Sequence, residues 1–259
     1  MKLSMKSIAA GVALALGSTM AYADTITPPA TFDGTTVNVL GDNGGMFVAA
    51  WDANGHSIVE YLGVNMDDFV NTADHSFGTL GSFGTTFSGD ASSSINYTVF
   101  AIDSNGVGNS GKRYLTTTNG TSFSATNTAV SGTAANIQAF ITNGLLATGT
   151  GACGGINPCV STVATDADNA LNIPWTNIQT TSYFGSAGGP ALNMYLAAST
   201  SNSPNGAATI TFAPGTWTLA ANGALDYTAT APAVPLPAAL WLLLSGLGGM
   251  GMISRRRQA

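Results

Sequence analysis

Residues 216–228 read TWTLAANGALDYT, two apolar segments separated by an Asn-Gly pair, and this stretch decides the fold class. Asn-Gly between alternating apolar residues is typical of a β-hairpin. A two-residue loop would place Trp217 opposite Thr228, whereas a three-residue loop that ends at Gly223 places it opposite Tyr227. The second register gathers the apolar side chains on one face, as a half-buried hairpin requires. We therefore expect Trp217 to be a core residue rather than an exposed platform for a sugar ring.

Short segments of the same character recur along the chain, each rich in β-branched or aromatic residues and bounded by Asn, Gly or Pro. Such segments predict β-strands. The predicted strands are 35–40, 45–51, 57–64, 93–103, 113–118, 193–198, 208–212, 216–221 and 224–230. Many short strands joined by turns favour an antiparallel β-sandwich or a jelly-roll-like domain. The fold class is therefore expected to be mainly β, with one or two short helices, in an exported domain that spans 24–231.

Helical periodicity is scarce before the C-terminal tail. One amphipathic helix is predicted within 134–149, where four apolar residues fall at helical spacing: Ile137, Phe140, Ile141 and Leu145. A second, shorter helical turn is expected within 159–171. The Thr-, Ser-, Asn- and Gly-rich stretch 116–134 is expected to be a surface loop.

The pattern Asp-x-Asn-Gly occurs at 52–55 and at 103–106, and it suggests either a calcium loop or a turn. An EF-hand loop requires a Glu at its twelfth position, and that position is Gly63 in one case and Tyr114 in the other. Asp and Asn also accept hydrogen bonds from nearby backbone N–H groups in turns. We therefore expect a second hairpin around WDANGHS, residues 51–57, and neither a metal site nor a cofactor.

The charge of the chain is low in total and uneven in distribution. Only 8% of residues are charged, and all thirteen acids lie between Asp24 and Asp226. Between the two ends of the chain, the basic residues are Lys112 and Arg113 alone. Nucleic-acid binding needs clustered cations that neutralise phosphates, so this composition excludes it.

The first 23 residues have the three parts of a secretory signal peptide. Two lysines precede an apolar stretch at 7–20, and Ala21 and Ala23 form a small-x-small cleavage site before Asp24. We therefore expect the chain to use the Sec translocon, to be cut by signal peptidase, and to act outside the cytoplasm.

The two cysteines, Cys153 and Cys159, lie six positions apart in CGGINPC. In an oxidising compartment such a pair favours a disulfide over free thiols. The disulfide would close a small loop and contribute about 2 kcal/mol to stability. Structural zinc needs four ligands, and the histidines His56 and His75 lie far away in the sequence.

The C-terminal segment, 232–259, combines a proline motif, an apolar run and three arginines. The run from Val234 to Ile253 is long enough, as a helix, to span a bilayer core of ~30 Å. The arginines that follow favour a cytoplasmic end, with the acidic domain outside. Pro235 and Pro237 oppose helix formation and keep a short extended segment before the run, which is the conformation that a protease or transpeptidase binds.

This tail resembles the PEP-CTERM family of sorting signals in its VPLPA variant. The resemblance implies a Gram-negative bacterium that makes exopolysaccharide, and an inner-membrane transpeptidase, the exosortase, that reads the tail. It also implies a transient inner-membrane anchor, and then a place at the cell surface or in the biofilm matrix, with exopolysaccharide as a further partner. By this resemblance the sorting motif is Val234, Pro235, Leu236 and Pro237, and the retention signal is Arg255, Arg256 and Arg257.

Two other functions are compatible with an exported β-rich domain. A carbohydrate-binding module would expose a cluster of aromatic rings, for which the candidates are Trp51, Tyr61, Trp175 and Tyr183. A secreted hydrolase would need paired carboxylates in a cleft, and the candidates are Glu60, Asp67 and Asp68. No spacing marks a catalytic pair or triad, so the leading expectation is a non-enzymatic surface or matrix protein.

Overall fold

A computed structural model of the chain describes residues 24–25, 44–69, 71–146, 153, 156–166, 168–172 and 183–230. The predicted signal peptide, the strand predicted at 35–40 and the whole tail from 232 lie outside these residues. Within them, none of the helices combines the length and the apolar character that crossing a membrane demands.

The described residues form one sheet of eleven strands. Their bounds are β1 Asp24–Thr25, β2 Gly45–Trp51, β3 Ser57–Asn65, β4 His75–Thr79, β5 Asn96–Asp103, β6 Arg113–Thr118, β7 Cys159–Ser161, β8 Gly185–Ser186, β9 Leu192–Ala198, β10 Thr209–Leu219 and β11 Ala224–Ala229. The order across the sheet is β1-β4-β11-β10-β9-β6-β5-β2-β3-β7, and β8 pairs with β5. Neighbours are antiparallel except β1 and β4, which are parallel. The mainly β, antiparallel class is thus confirmed.

The hairpin at 216–228 adopts the register that places its apolar residues on one face. Trp217 pairs with Tyr227 and Leu219 pairs with Leu225 across β10 and β11. The three-residue loop ends at Gly223, whose φ of +86° is one that glycine adopts without strain. A side chain at this position would also collide with the ring of Phe83.

Strand β10 differs from the expectation of two separate strands at 208–212 and 216–221. It runs unbroken across Ala213-Pro214-Gly215 and pairs with β9 on both sides of a bulge between Phe212 and Thr216. A bulge leaves a residue out of the ladder, which is how a strand accommodates a proline that has no N–H to donate.

The strands form a single hydrogen-bonded sheet, and this sheet curls until its ends meet. Gly81, in the loop after β4, donates its N–H to Oε2 of Glu60 on β3 at 2.8 Å. Strands β4 and β3 lie near opposite ends of the strand order. The contact therefore joins the two ends of the sheet.

Apolar side chains cover both faces of the curled sheet and form two cores. The inner core takes residues from β2, β3, β4, β5, β6, β9, β10 and β11, together with the phenylalanines that precede β4 and follow it. At its centre, fully buried Trp217 lies against the rings of Phe69, Phe77 and Tyr227, with centroid distances of 5.6, 5.4 and 5.2 Å. Its indole N–H donates to the sulfur of Met194 at 3.0 Å. Short helix α1, Phe83–Thr86, adds the buried ring of Phe83.

The outer core lies beneath helix α2, Asn127–Phe140, which continues as one π-helical turn over Ile141–Leu145. The four apolar residues that predicted this helix are all buried: Ile137, Phe140, Ile141 and Leu145. The helix begins earlier than predicted, because the hydroxyl of Thr126 accepts the N–H of Ala129 as an N-cap. The loop predicted over 116–134 is therefore wrong at 116–118, which belong to β6, and from residue 127 onward.

The segment 159–171, expected to hold a helical turn, begins instead as strand β7. Cys159 pairs with Val59, and Ser161 pairs with Ser57, at the edge of β3. A single 3₁₀ turn, Ala170–Asn172, closes the segment. Pairing with a sheet edge satisfies the backbone groups that a helix would otherwise satisfy internally.

Replacing Trp217 with Ala should lower the free energy of unfolding by roughly 3–5 kcal/mol, because it leaves a large cavity among three aromatic rings. Urea denaturation of the purified protein measures this. Val107, which is 82% exposed, provides the control. Its replacement with Ala should change the value by less than about 0.5 kcal/mol. Equal effects from the two variants would contradict the assignment of Trp217 to the core.

Candidate functional site

The two aromatic candidates on strands β2 and β3 belong to the outer core. Trp51 is 6% exposed and Tyr61 is 8% exposed. Trp51 packs edge-on against Phe184 at 5.6 Å, and Tyr61 packs against Phe47 at 5.4 Å. Tyr183 is half-buried, and Trp175 lies outside the described residues. Trp51 and Tyr61 therefore present no ring face on which a sugar could stack.

The acids considered for hydrolysis are engaged by different partners. Asp67 receives two N–H bonds from the guanidinium of Arg113, the first at 2.7 Å, while Arg113 Nε donates to Asp103 at 2.9 Å. Asp68 accepts a bond from the amide of Asn65 at 3.3 Å. Glu60 is bonded to the Gly81 N–H at the closure of the sheet. The structure gives each of these carboxylates a stabilising partner of its own.

A cleft of about 110 Å³ lies between the segment after β3 and strands β6, β9 and β10. Among the described residues its lining is mostly apolar and contains one carboxylate, that of Asp67. Pockets for drug-sized ligands usually measure about 300–1,000 Å³. The cleft is therefore small for a sugar chain, and the described part of its lining supplies one of the two carboxylates that glycoside hydrolysis requires.

Cys153 and Cys159 are joined by a disulfide, with their Cα atoms 5.6 Å apart. Oδ2 of buried Asp168 lies 3.2 Å from the sulfur of Cys153. Burial, together with the nearby charge of Asp166, raises the pKa of the Asp168 carboxyl. The side chains of Cys153, Cys159 and Asp168 have the spacing of a metal-binding group, but the disulfide removes the thiolates that a metal would need.

A second cluster combines Asp52, His56 and Asp90 at the turn between β2 and β3. Asp52 Oδ1 accepts the backbone N–H groups of Asn54 and His56 at 2.8 and 2.9 Å, so the predicted turn chemistry is present. Asp52 Oδ2 lies 2.6 Å from Nδ1 of His56. One ligand atom from each of Asp52, His56 and Asp90 lies within 4.8 Å of the others.

The carboxyl of Asp52 is the anchor of this cluster, since it is 1% exposed. Burial by itself would raise its pKa. Hydrogen bonds from the side chain and backbone of His56 and from the backbone of Asn54 outweigh burial and hold the pKa of Asp52 below its ordinary value. Asp52 is therefore an anion at neutral pH that fixes the orientation of the imidazole.

Sequence reasoning found Asp52 as a turn residue but missed its meeting with Asp90. Asp90 lies in the loop that follows α1. Its backbone N–H donates to the carbonyl of Phe87 at 3.1 Å, and the loop places its side chain beside the turn. Helix α1 has only four residues, and Phe83 at its start and Phe87 just after its end pack into the inner core. No local pattern around Asp90 signals this placement.

Comparison of the chain with protein-family models, with curated proteins and with solved structures gives no match. The roles assigned to residues therefore rest on the chemistry of this chain.

Changing Glu60 to Gln should stabilise the protein increasingly as the pH rises from about 4 to 7. Burial raises the pKa of Glu60, and the Gly81 N–H bond opposes this only in part. Over that range the unfolded chain ionises before the folded one, so the native protein loses stability as pH rises. A Gln side chain keeps an oxygen acceptor for Gly81 without a charge.

Urea denaturation of both proteins at several pH values tests this expectation. The difference in unfolding free energy should be smallest near pH 4, where Glu60 is largely protonated in both states. A difference that stays constant from pH 4 to 7 would refute it.

Proposed function

We propose that this chain is an exported, non-enzymatic protein of the cell surface or exopolysaccharide matrix of a Gram-negative bacterium, sorted by an exosortase. The observation that carries the proposal is the order of three elements at the C-terminus: VPLP, an apolar run and three arginines. A permanent anchor needs the last two elements alone. The proline motif adds an extended segment that a transpeptidase can bind.

The remainder of the chain supports delivery to an oxidising, extracytoplasmic place. The N-terminal 23 residues have the composition of a signal peptide, and Cys153 and Cys159 form a disulfide. We infer that the domain acts as a sandwich-like module, in which the two arms of the curled sheet enclose the inner core.

The non-enzymatic role is supported by the contacts that the candidate catalytic acids make. Asp67 is neutralised by Arg113, and Glu60 helps to join the ends of the sheet. The alternative of a carbohydrate-binding module has less support, because Trp51 and Tyr61 pack in the outer core.

Intact-mass analysis of the protein from cells with and without exosortase tests the sorting proposal. In cells with the enzyme, the mass should correspond to a chain that begins near Asp24 and ends within or just after the VPLP motif. In cells without it, the chain should extend to Ala259 and stay with the membrane fraction. Chains that end at Ala259 in both strains would overturn the proposal.

Replacing both Pro235 and Pro237 with Ala should block C-terminal processing while membrane insertion continues. Alanine removes the constraint that keeps the segment extended, and it leaves the apolar run and the arginines unchanged. Cell fractionation and intact-mass analysis give the two readouts.

Pro232, which lies just before the motif, supplies the matched control. Pro232→Ala should be processed like the native chain. Normal processing of the Pro235/Pro237 double variant would show that the exosortase does not recognise these prolines.

A further inference from the structure

The turn between β2 and β3 brings together side chains from two separate parts of the chain. Asp52 and His56 lie within the turn, and Asp90 arrives from the loop that follows α1. Their ligand atoms lie within 4.8 Å of one another. Two carboxylates and an imidazole at this separation can share one metal ion, whose bonds to nitrogen and oxygen are about 2.0–2.2 Å long.

The imidazole is already oriented. Asp52 is buried, two backbone N–H groups hold its Oδ1, and its Oδ2 lies at hydrogen-bond distance from Nδ1 of His56. A metal ion would take the place of the proton shared by Asp52 Oδ2 and His56 Nδ1, so that both atoms become ligands and the proton is released to solvent. The His56 side chain is 35% exposed, so an ion can reach it from solvent. Asp90 is half-buried beside it.

The charge around this cluster favours a cation. Asp52 and Asp90 bring two carboxylates to one imidazole. The central part of the chain contains two basic residues, and one of them, Arg113, is held between Asp67 and Asp103. Two carboxylates at this separation would attract a divalent cation.

We propose that Asp52, His56 and Asp90 form a binding site for a divalent transition-metal ion of the Zn²⁺ class. Imidazole nitrogen suits Zn²⁺, Ni²⁺ and Cu²⁺, whereas Ca²⁺ requires six to eight oxygen ligands, more than the three side chains supply. Water completes the coordination. The site is independent of the sorting tail, and its ligands come from the domain alone.

Nuclear magnetic resonance of the imidazoles in the purified full-length protein tests the site directly, because the chain has only two histidines. Adding Zn²⁺ should shift the ring signals of His56 and leave those of His75, which is 5% exposed on β4, in place. Ca²⁺ at the same concentration should leave both in place. Shifts confined to His75, or shifts of neither ring, would overturn the proposal.

Calorimetric titration with Zn²⁺ then assigns the ligands. His56→Gln and Asp90→Asn should each weaken binding at least tenfold, while Asp68→Asn, which removes an exposed acid elsewhere, should leave the affinity unchanged. Asp52 is left intact because it also closes the turn. Circular dichroism confirms that each variant is folded. Zinc affinity that is equal in the native protein and in both ligand variants would refute the site.

Discussion

Strand β2 sets the constraint on which the rest of the structure depends, because all seven of its residues, Gly45–Trp51, are buried. Alternate side chains point to opposite faces of a strand, so Met46, Val48 and Ala50 lie in the inner core while Phe47, Ala49 and Trp51 lie in the outer core. A strand that is apolar on both faces must be covered on both faces. The sheet covers the inner face by curling on itself, and α2 with the segment around the disulfide covers the outer face. Both solutions withdraw most aromatic residues from the surface, which leaves the turns and loops as the places where polar chemistry can occur.

Local patterns were sufficient for the parts of the fold that local physics controls. The hairpin register followed from the apolar residues of 216–228 and the left-handed position of Gly223. Strands β2 and β6 have the predicted bounds, since β2 is an apolar run, GMFVAAW, and β6, RYLTTT, is rich in β-branched Thr. Strand β4, HSFGT, was missed because it contains a glycine and only one large apolar residue, and its partner β11 lies far away in the sequence. The curl of the sheet likewise depends on the long-range contact between Glu60 and Gly81, which no periodicity reveals.

The candidate metal cluster shows the same division between local and distant information. The spacing of Asp52 and His56 across a turn is a local property, and the sequence predicted the turn. The arrival of Asp90 depends on how the phenylalanines around α1 pack into the inner core, because their burial fixes the path of the loop that follows. The packing of apolar residues thus positions Asp90, around which the sequence contains no metal-binding motif. A sequence scan for metal motifs would find two potential ligands here and would have no reason to add the third.

The small number of Lys and Arg residues explains which groups stabilise the carboxylates of this domain. With few Lys and Arg available, backbone N–H groups stabilise the carboxylates: Gly81 for Glu60, Asn105 for Asp103 and Ala229 for Asp74. Hydrogen bonds to a carboxylate from backbone N–H groups are stronger than those between neutral groups, so they can replace ion pairs in fixing loops. Acids held in this way help to fix the loops to which they are bonded. The turn at Asp52 is different, because its N–H groups satisfy Asp52 Oδ1 while a second carboxylate, that of Asp90, lies close by. The metal ion proposed for this turn would add positive charge at the place where the two carboxylates meet.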